Sequence, residues 1–144
     1  MATVHTYLNF DGNCEAAFNF YKSVFGGEFS FIGKFGEMPP MEGQPPMSDA
    51  DKNKIMHVSL SISNTVLMGS DTVGGWSPAI VQGNNFAVSI NADSKKEADN
   101  LFNGLSAGGQ VTMPMENTFW GAYFGMFTDK FGINWMVNFD EQPI

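Results

Sequence analysis

The sequence predicts an α+β protein: tandem βαβββ modules that form two curved mixed sheets around a cleft, with the helices on the outside. The first observation is an internal repeat, because residues match at a constant shift of 82 positions, as duplicated supersecondary units do. The second is the strand-like alternation of apolar and polar residues on either side of one helical stretch in each copy. The matched pairs are Leu8/Ile90, Asn9/Asn91, Asp11/Asp93, Glu15/Glu97, Ala16/Ala98, Phe20/Phe102 and Gly26-Gly27/Gly108-Gly109.

Each copy opens with a strand followed by a helix. Residues 4–10 have the period of a half-buried strand, and Asp11 is expected to cap the helix that follows. A Gly-Gly pair ends each helix, because glycine tolerates positive φ. The apolar helix stripes are Ala17, Phe20, Tyr21, Val24 and Phe25 in the first copy, and Ala98, Leu101, Phe102 and Leu105 in the second.

Three strand-like runs follow each helix. They are residues 28–35, 54–63 and 65–70 in the first copy, and residues 110–115, 122–128 and 133–139 in the second. The chain is therefore one domain with a first module at about 3–71, a linker at 72–83 that contains Trp76, and a second module at about 84–140. The stretch 36–53 is rich in Pro, Met and Gly, and it is open to interpretation as a lid or as an insertion.

Composition excludes several classes of protein. A chain of 144 residues can bury a real core without disulfides or metal. The net charge of -8 and the 7 scattered basic residues argue against nucleic-acid binding, which needs clustered Lys and Arg. Cys14 is alone, and we find neither a membrane-length apolar segment nor a signal peptide. We expect a cytoplasmic protein that binds no membrane.

The strand faces that point away from the helices are unusually polar or mixed. Two curved sheets related by a pseudo-twofold axis would bring these faces together around a cleft, and such linings suit a small-molecule pocket. Plain surface exposure is the alternative interpretation. The face residues are His5, Tyr7 and Asn9; His57, Ser59 and Ser61; Asn85, Ser89 and Asn91; and Asn134, Met136 and Asn138, while Val4, Thr6, Leu8, Phe10, Phe86, Val88 and Ile90 form the apolar faces of the two first strands.

Four runs of sequence carry a resemblance to a known family. They are residues 7–16 with Phe20-Tyr21, residues 56–60, residues 118–121 and residues 129–136. On these runs the chain resembles the PhnB-like branch of the vicinal oxygen chelate superfamily, which includes glyoxalases, bleomycin-resistance proteins, fosfomycin-resistance enzymes and extradiol dioxygenases. The resemblance covers about residues 3–139 and implies paired βαβββ modules and a homodimer.

The resemblance also implies where a metal would bind. Metal-dependent members take His, Glu or Gln ligands from the first and last strand of each module, and the ion stabilises an enolate or oxyanion. His5 matches the first ligand position. The other positions depart from the pattern, since they hold Asn85 or Ala87, Met136, and Leu67 or Met68. We therefore expect no cofactor and no complete metal site, with His5 as the only candidate ligand for a divalent metal.

Metal-free chemistry stays open, and no catalytic residue is assigned. His5 or His57 could act as a general base with Tyr7 or Tyr123 as its partner. Cys14, in the first turn of a helix, would have a lowered pKa, although an inert small residue is the favoured interpretation. The methyltransferase label often given to this branch finds no Gly-rich nucleotide-binding turn in the sequence.

We expect a small-molecule-binding protein of the glyoxalase/bleomycin-resistance type, with its site in the cleft between the modules. The first alternative is a metal-dependent lyase or isomerase of glyoxalase type with a degenerate or dimer-shared site. The second is a purely structural dimerisation module. Trp120 is assigned equally to the pocket or to the core. The candidate ligand-binding residues are His5, Tyr7, His57, Met68, Asn85, Trp120, Tyr123 and Met136.

Overall fold

The protein, as a computed structural model, is described over residues 1–39, 43, 46–74 and 78–141. The chain forms two compact units, Met1–Val81 and Gln82–Ile144. Each unit holds a four-stranded mixed sheet with its own long helix packed against it. The predicted α+β class and the tandem βαβββ order are confirmed.

The first unit contains four strands and one long helix. Its elements are β1 (Thr6–Phe10), α1 (Cys14–Phe25), β2 (Glu28–Lys34), a 3-10 helix (Phe35–Glu37), α2 (Asp49–Lys52), β3 (Ile55–Ile62) and β4 (Thr65–Asp71). The sheet order is β1-β4-β3-β2, in which β1 runs parallel to β4 and the other neighbours are antiparallel. The β3–β4 hairpin turns at Ser63, whose φ of 52° lies in the left-handed region.

The second unit repeats this topology with shorter connections. Its elements are β5 (Val88–Asn91), α3 (Lys95–Ser106), β6 (Gln110–Asn117), β7 (Ala122–Thr128) and β8 (Asn134–Asp140). The sheet order β5-β8-β7-β6 matches that of the first unit, again with one parallel pair. Nothing in this unit corresponds to α2, because β6 and β7 are joined by the four residues 118–121.

An aromatic ring sits over a glycine in the core of each unit. A Cβ on Gly69 would lie 2.6 Å from the ring of Phe18, and a Cβ on Gly125 would lie 2.8 Å from the ring of Phe102. Phe102 in turn makes an edge-to-face contact with Phe127, at 5.2 Å between ring centroids. Only glycine lets the helix approach the sheet this closely, so both positions fix the helix-to-sheet distance.

Helix α1 begins differently from the prediction. Asp11 does not cap it: the N-cap residue is Asn13, which makes no side-chain capping bond. Instead the buried Asp71 at the end of β4 accepts hydrogen bonds from the backbone N–H groups of Gly12 (2.9 Å) and Cys14 (3.0 Å). The carboxylate of Asp71, 57 residues away along the chain, therefore accepts the hydrogen bonds that a local N-cap side chain usually accepts.

Helix α3 begins with a capping box. Ser94 Oγ accepts from the N–H of Glu97 at 3.0 Å, and Glu97 Oε1 accepts from the N–H of Asp93 at 2.9 Å. Glu97 therefore serves the start of this helix, and the two helices satisfy their free N–H groups in different ways.

The β7–β8 turn is held by a second buried carboxylate. Asp129 Oδ1 accepts from the N–H groups of Phe131 (2.8 Å) and Ile133 (3.0 Å), and its Oδ2 accepts from Trp135 Nε1 at 2.8 Å. Gly132, with a φ of 90°, closes the turn. The predicted turn at residues 129–132 is therefore tied directly to the core through Trp135.

Three local predictions were wrong. Helix α1 buries Phe18 and Tyr21 and leaves Ala16 exposed, so Tyr21, and not Phe20, corresponds to the buried Phe102 of α3. The strands also start late: β1 begins at Thr6 and β5 at Val88, and Val4 and Phe86 before them are exposed. The predicted irregular stretch 36–53 contains α2, although residues 40–42 and 44–45 lie outside the described part.

Trp76 lies outside the described residues. Among the helices in the described part of the chain, none combines the length and apolar character needed to cross a membrane.

Candidate functional site

Strand register places four side chains in one line across the outer face of the first sheet, the face away from α1. Tyr7 lies opposite Met68, Met68 opposite Ser59, and Ser59 opposite Phe31. Directly opposite residues share a face of the sheet and lie close enough for their side chains to interact. The residues that alternate with them, such as Leu8, are buried under α1. We call Phe31, Ser59, Met68 and Tyr7 the first row.

His57 lies at the centre of this face and contacts three members of the row. Its Nδ1 lies 3.3 Å from the hydroxyl of Tyr7, and its Nε2 lies 2.8 Å from Ser59 Oγ. The rings of Tyr7 and Phe31 flank the imidazole, with centroids at 5.6 Å and 5.9 Å. Both ring nitrogens are thus engaged by hydroxyl groups. We call His57 and the first row together the His57 cluster.

The His57 cluster combines a buried polar group with exposed aromatic rings. Ser59 is buried, whereas Tyr7 is 44% exposed and Phe31 is 49% exposed. A hydroxyl and an imidazole in fixed hydrogen bonds are ordered before any ligand arrives, so a ligand need not organise them. The exposed ring surfaces provide apolar area that a bound molecule can cover.

The second sheet carries an equivalent line of residues with different chemistry. Met113 lies opposite Met126, Met126 opposite Met136, and Met136 opposite Ser89. We call these four residues the second row. They lie on the strands of the second sheet that correspond to those of the first row, and they are paired in the same way. Three thioethers therefore stand where the first sheet has Phe31, Ser59 and Met68, and they give this face a soft apolar surface.

Trp120 belongs to an exposed aromatic group and not to the core. Trp120 is 61% exposed and Phe119 is 98% exposed in the turn between β6 and β7. Their rings meet edge to face at 5.0 Å, and Trp120 lies 6.4 Å from the ring of Phe124. The core interpretation of Trp120 was therefore wrong, because the turn carries both rings out beyond the sheet.

Tyr123 points to the opposite face from the second row. Strand β7 places it on the side covered by α3, where its hydroxyl donates to Asp99 Oδ1 at 2.6 Å. This hydrogen bond to a carboxylate raises the pKa of Tyr123, with a smaller contribution from desolvation. The Nζ of Lys95 lies 4.8 Å from the centre of its ring. Its hydroxyl is therefore engaged within the helix–sheet layer.

The other candidate residues are dispersed. His5 precedes β1 and Asn85 precedes β5, and both side chains are exposed. The structure brings together Tyr7, His57 and Met68, and it places Met136 in the second row. Phe31 was missed, since its place depends on a register shift within β2 that no local sequence pattern reveals.

The donor set does not fit the catalytic metal of the superfamily. Across the described ranges, no three His, Cys, Asp or Glu side chains come together as a metal site would require. The partners of His57 are hydroxyl groups, and hard divalent ions prefer carboxylate and carbonyl oxygens. We therefore derive no chemical step through a metal.

Cys14 is a buried thiol in the first turn of α1. Burial raises its pKa well above the ordinary value, and the nearby charges of Asp71 and Glu15 raise it further. The predicted lowering by the first helical turn was wrong, because desolvation of the thiolate outweighs the helix dipole here. The alternative interpretation, an inert core residue, agrees with the position of Cys14.

Comparisons with known proteins agree with this architecture. The model of the family described as 3-demethylubiquinone-9 3-methyltransferase matches residues 2–138. The Escherichia coli K12 protein YjdN is 31% identical over 141 residues, which cover 94% of each chain. The Pseudomonas aeruginosa protein PA1353 is 41% identical, covers 99% of this chain and 100% of its own, and superposes with a TM-score of 0.84.

A further similar structure is that of a protein named PhnB, the name of the branch that the sequence resembles. The PhnB protein of Bacillus cereus is 22% identical, covers 96% of this chain and 99% of its own, and has a TM-score of 0.72. At that identity the likeness shows the fold alone. Given the family match over residues 2–138, the chain belongs to the PhnB-like family described as 3-demethylubiquinone-9 3-methyltransferase, which has the fold of the glyoxalase/bleomycin-resistance/dioxygenase superfamily.

Proposed function

We propose that this chain binds a small, partly apolar molecule, and that the His57 cluster is where its polar end is held. The observation that carries the proposal is the imidazole of His57 fixed between the hydroxyls of Tyr7 and Ser59 and flanked by exposed aromatic rings. Small-molecule sites typically combine a mostly apolar lining with a few well-placed polar groups. The sequence-based expectation that both sheets line one cleft remains a prediction.

Methyl transfer is not the function that the geometry supports. The family description names a methyltransferase. Dinucleotide-type cofactor sites rely on a Gly-rich turn that leads from a parallel strand into a helix. The two strand-to-helix turns here are residues 11–13 and 92–94, with the sequences Asp-Gly-Asn and Ala-Asp-Ser. They contain one glycine between them, so neither is a Gly-rich turn of the nucleotide-binding type.

The proposal is tested by a ligand screen with a matched pair of histidine variants. The chain has 2 histidines, so His57→Gln removes the imidazole of the site and His5→Gln removes the one outside it. We expect amide chemical-shift changes at residues 7, 57 and 59 for ligands that raise the melting temperature. These changes should be weakened in His57→Gln and unchanged in His5→Gln. A broad screen on folded protein that gave no such ligand would contradict the proposal.

Metal analysis separates this proposal from the alternative of a glyoxalase-type lyase or isomerase. We expect purified protein to contain divalent metal at well below one ion per chain. Zinc, nickel or manganese bound at one per chain and released by His5→Gln would instead support the metal-dependent enzyme.

A further inference from the structure

We propose that the His57 cluster recognises an oxyanion, a carboxylate on a planar aromatic body, and that binding is coupled to proton uptake by His57. The inference rests on the proposed function and names its ligand class. It follows from the hydrogen-bonding capacity of the three polar groups, the charges around them and the two aromatic rings beside them.

The two hydroxyls limit what a neutral His57 can offer. A neutral imidazole has one N–H and one bare nitrogen, so one of the two hydroxyls must donate to it and the other accepts from it. Of the hydroxyl hydrogens of Tyr7 and Ser59, only one is therefore free. When the imidazole is protonated, both nitrogens donate and both hydroxyl hydrogens become free, including that of the exposed Tyr7.

Protonation thus changes the face in two ways that favour the same ligand. It adds a positive charge, and it leaves the hydroxyl of Tyr7 free to donate away from His57, whichever ring nitrogen carried the hydrogen in the neutral form. A carboxylate accepts hydrogen bonds and carries the opposite charge, so it gains a charge-assisted interaction that a neutral ligand does not. Among side chains, the imidazole is the one whose charge most readily changes near neutral pH.

In the described part of the chain, the strands around His57 contribute few other titratable groups. Tyr7 is the titratable group that β1 contributes, while β2 contributes Glu28 at one end and Lys34 at the other. Glu28 is 3.6 Å from the Nζ of Lys22, so its charge is partly balanced. Strand β4 contributes Asp71, which lies on the opposite face and binds backbone N–H groups. The titratable groups of α1 (Cys14, Glu15, Tyr21 and Lys22) belong to the helix on that opposite face.

The side chains beside His57 indicate that the apolar part of the ligand is a flat ring. The rings of Tyr7 and Phe31 lie within 6 Å of the imidazole centroid and are nearly half exposed. The thioether of Met68 is directly opposite Tyr7 across the strand pair. Aromatic and thioether groups make favourable contacts with a flat ring, so an aromatic carboxylate satisfies both the charge and the surface.

Benzoate and benzamide test the inference as an isosteric pair. Benzoate carries a charge and benzamide does not, while their rings are the same. We expect the dissociation constant of benzoate, followed by amide shifts at residues 7, 57 and 59, to fall at least about fivefold between about pH 8 and about pH 6. That of benzamide should stay constant. The carbon signals of the His57 imidazole should report proton uptake when benzoate binds, and those of His5 should not.

Two variants sharpen the test. His57→Gln keeps one donor and one acceptor but cannot be protonated, so it should bind benzoate without the pH dependence, and His5→Gln should behave like the wild type. Equal, pH-independent binding of both probes at the cluster would overturn the inference and leave the proposed function standing. If neither probe perturbs the cluster, the inference is overturned, and the broad screen decides the proposed function separately.

Discussion

Asp71 holds three separate parts of the first unit together at a single side chain. Its Oδ1 accepts from the N–H groups of Gly12 and Cys14, and its Oδ2 accepts from the N–H of Ile55 at 2.8 Å. These bonds join the end of β4 to the start of α1 and the start of β3. The residue is buried, so water cannot replace the acceptor if it is lost.

Asp71→Asn should therefore destabilise the protein strongly. The amide turns one acceptor into a donor that faces a backbone N–H, and we expect a loss of about 3 kcal/mol in the free energy of unfolding. Urea unfolding followed by circular dichroism measures it. Asp11→Asn, at the exposed residue that does not cap α1, is the matched control and should change stability by less than about 0.5 kcal/mol. Equal effects of the two changes would contradict this account.

The buried thiol of Cys14 leads to a prediction about reactivity and pH. Because burial raises its pKa, the thiol stays protonated in the folded chain at a pH where the unfolded chain's thiol ionises. Its contribution to stability is therefore present at neutral pH and is lost as the pH rises above the unfolded value. We expect native protein to react slowly with a thiol reagent, at a rate that follows unfolding, and Cys14→Ala to show a smaller alkaline fall in stability than the wild type. Rapid labelling of folded protein at neutral pH would refute this.

At the scale of the structural elements, the two glycines after each helix are required for different reasons, one for its backbone conformation and the other for close packing. Gly26 and Gly108 have φ values of 77° and 76°, so they supply the left-handed ends of the helices. Gly27 and Gly109 do not. A Cβ on either would overlap a backbone carbonyl oxygen of the neighbouring strand, that of Ser61 or Thr128.

The two glycines of one pair should therefore respond differently to alanine. Gly26→Ala has open space for its Cβ and strains only φ, so it should cost about 1 kcal/mol. Gly27→Ala forces the helix end away from β3 and should cost about 3 kcal/mol or more. Thermal unfolding compares them directly. A larger loss in Gly26→Ala than in Gly27→Ala would show that φ, and not close approach, dominates at this turn.

Elements that are specified by neighbouring residues in the sequence were predicted correctly. Features that depend on residues far apart in the sequence were not. Strand β7 was predicted at its observed bounds, because alternation and the glycine turns around it are local signals. The buried face of α1 was predicted in part: Ala17 and Tyr21 are buried as expected, but the buried Phe18 was missed, because Phe20 fits the helical spacing equally well. The role of Asp71 in place of Asp11 could not be read locally, because it depends on β1 pairing with a strand that follows about 60 residues later.

The candidate site likewise depends partly on local patterns and partly on contacts between residues that are distant in the sequence. Alternation in β1 and β3 placed Tyr7 and His57 on one face, and the structure agrees. The contacts that make them a cluster depend on the parallel β1–β4 register and the shifted β2–β3 register. Tyr123 faces α3, where its hydroxyl donates to Asp99, whereas the exposure of Trp120 excludes only its assignment to the core, and its place in a pocket stays a prediction.

At the scale of the whole molecule, we predict that two copies of the chain form a homodimer. The resemblance to the superfamily implies a homodimer, and the described surface exposes large apolar side chains such as Phe86, Phe119 and Trp120. Exposed apolar groups of this kind often mark interfaces between proteins. We expect size-exclusion chromatography with light scattering to give twice the chain mass of 15.8 kDa. A mass of one chain at every concentration tested would rule the dimer out.

The paired rows on the two sheets have a consequence for protein engineering. Phe31, Ser59, Met68 and Tyr7 and their register equivalents Met113, Met126, Met136 and Ser89 occupy the same backbone lattice. Residues can therefore be transplanted from one half to the other as a block, with each half serving as the template for the other. The repeat therefore presents two versions of one surface that share a backbone register and differ in side-chain composition.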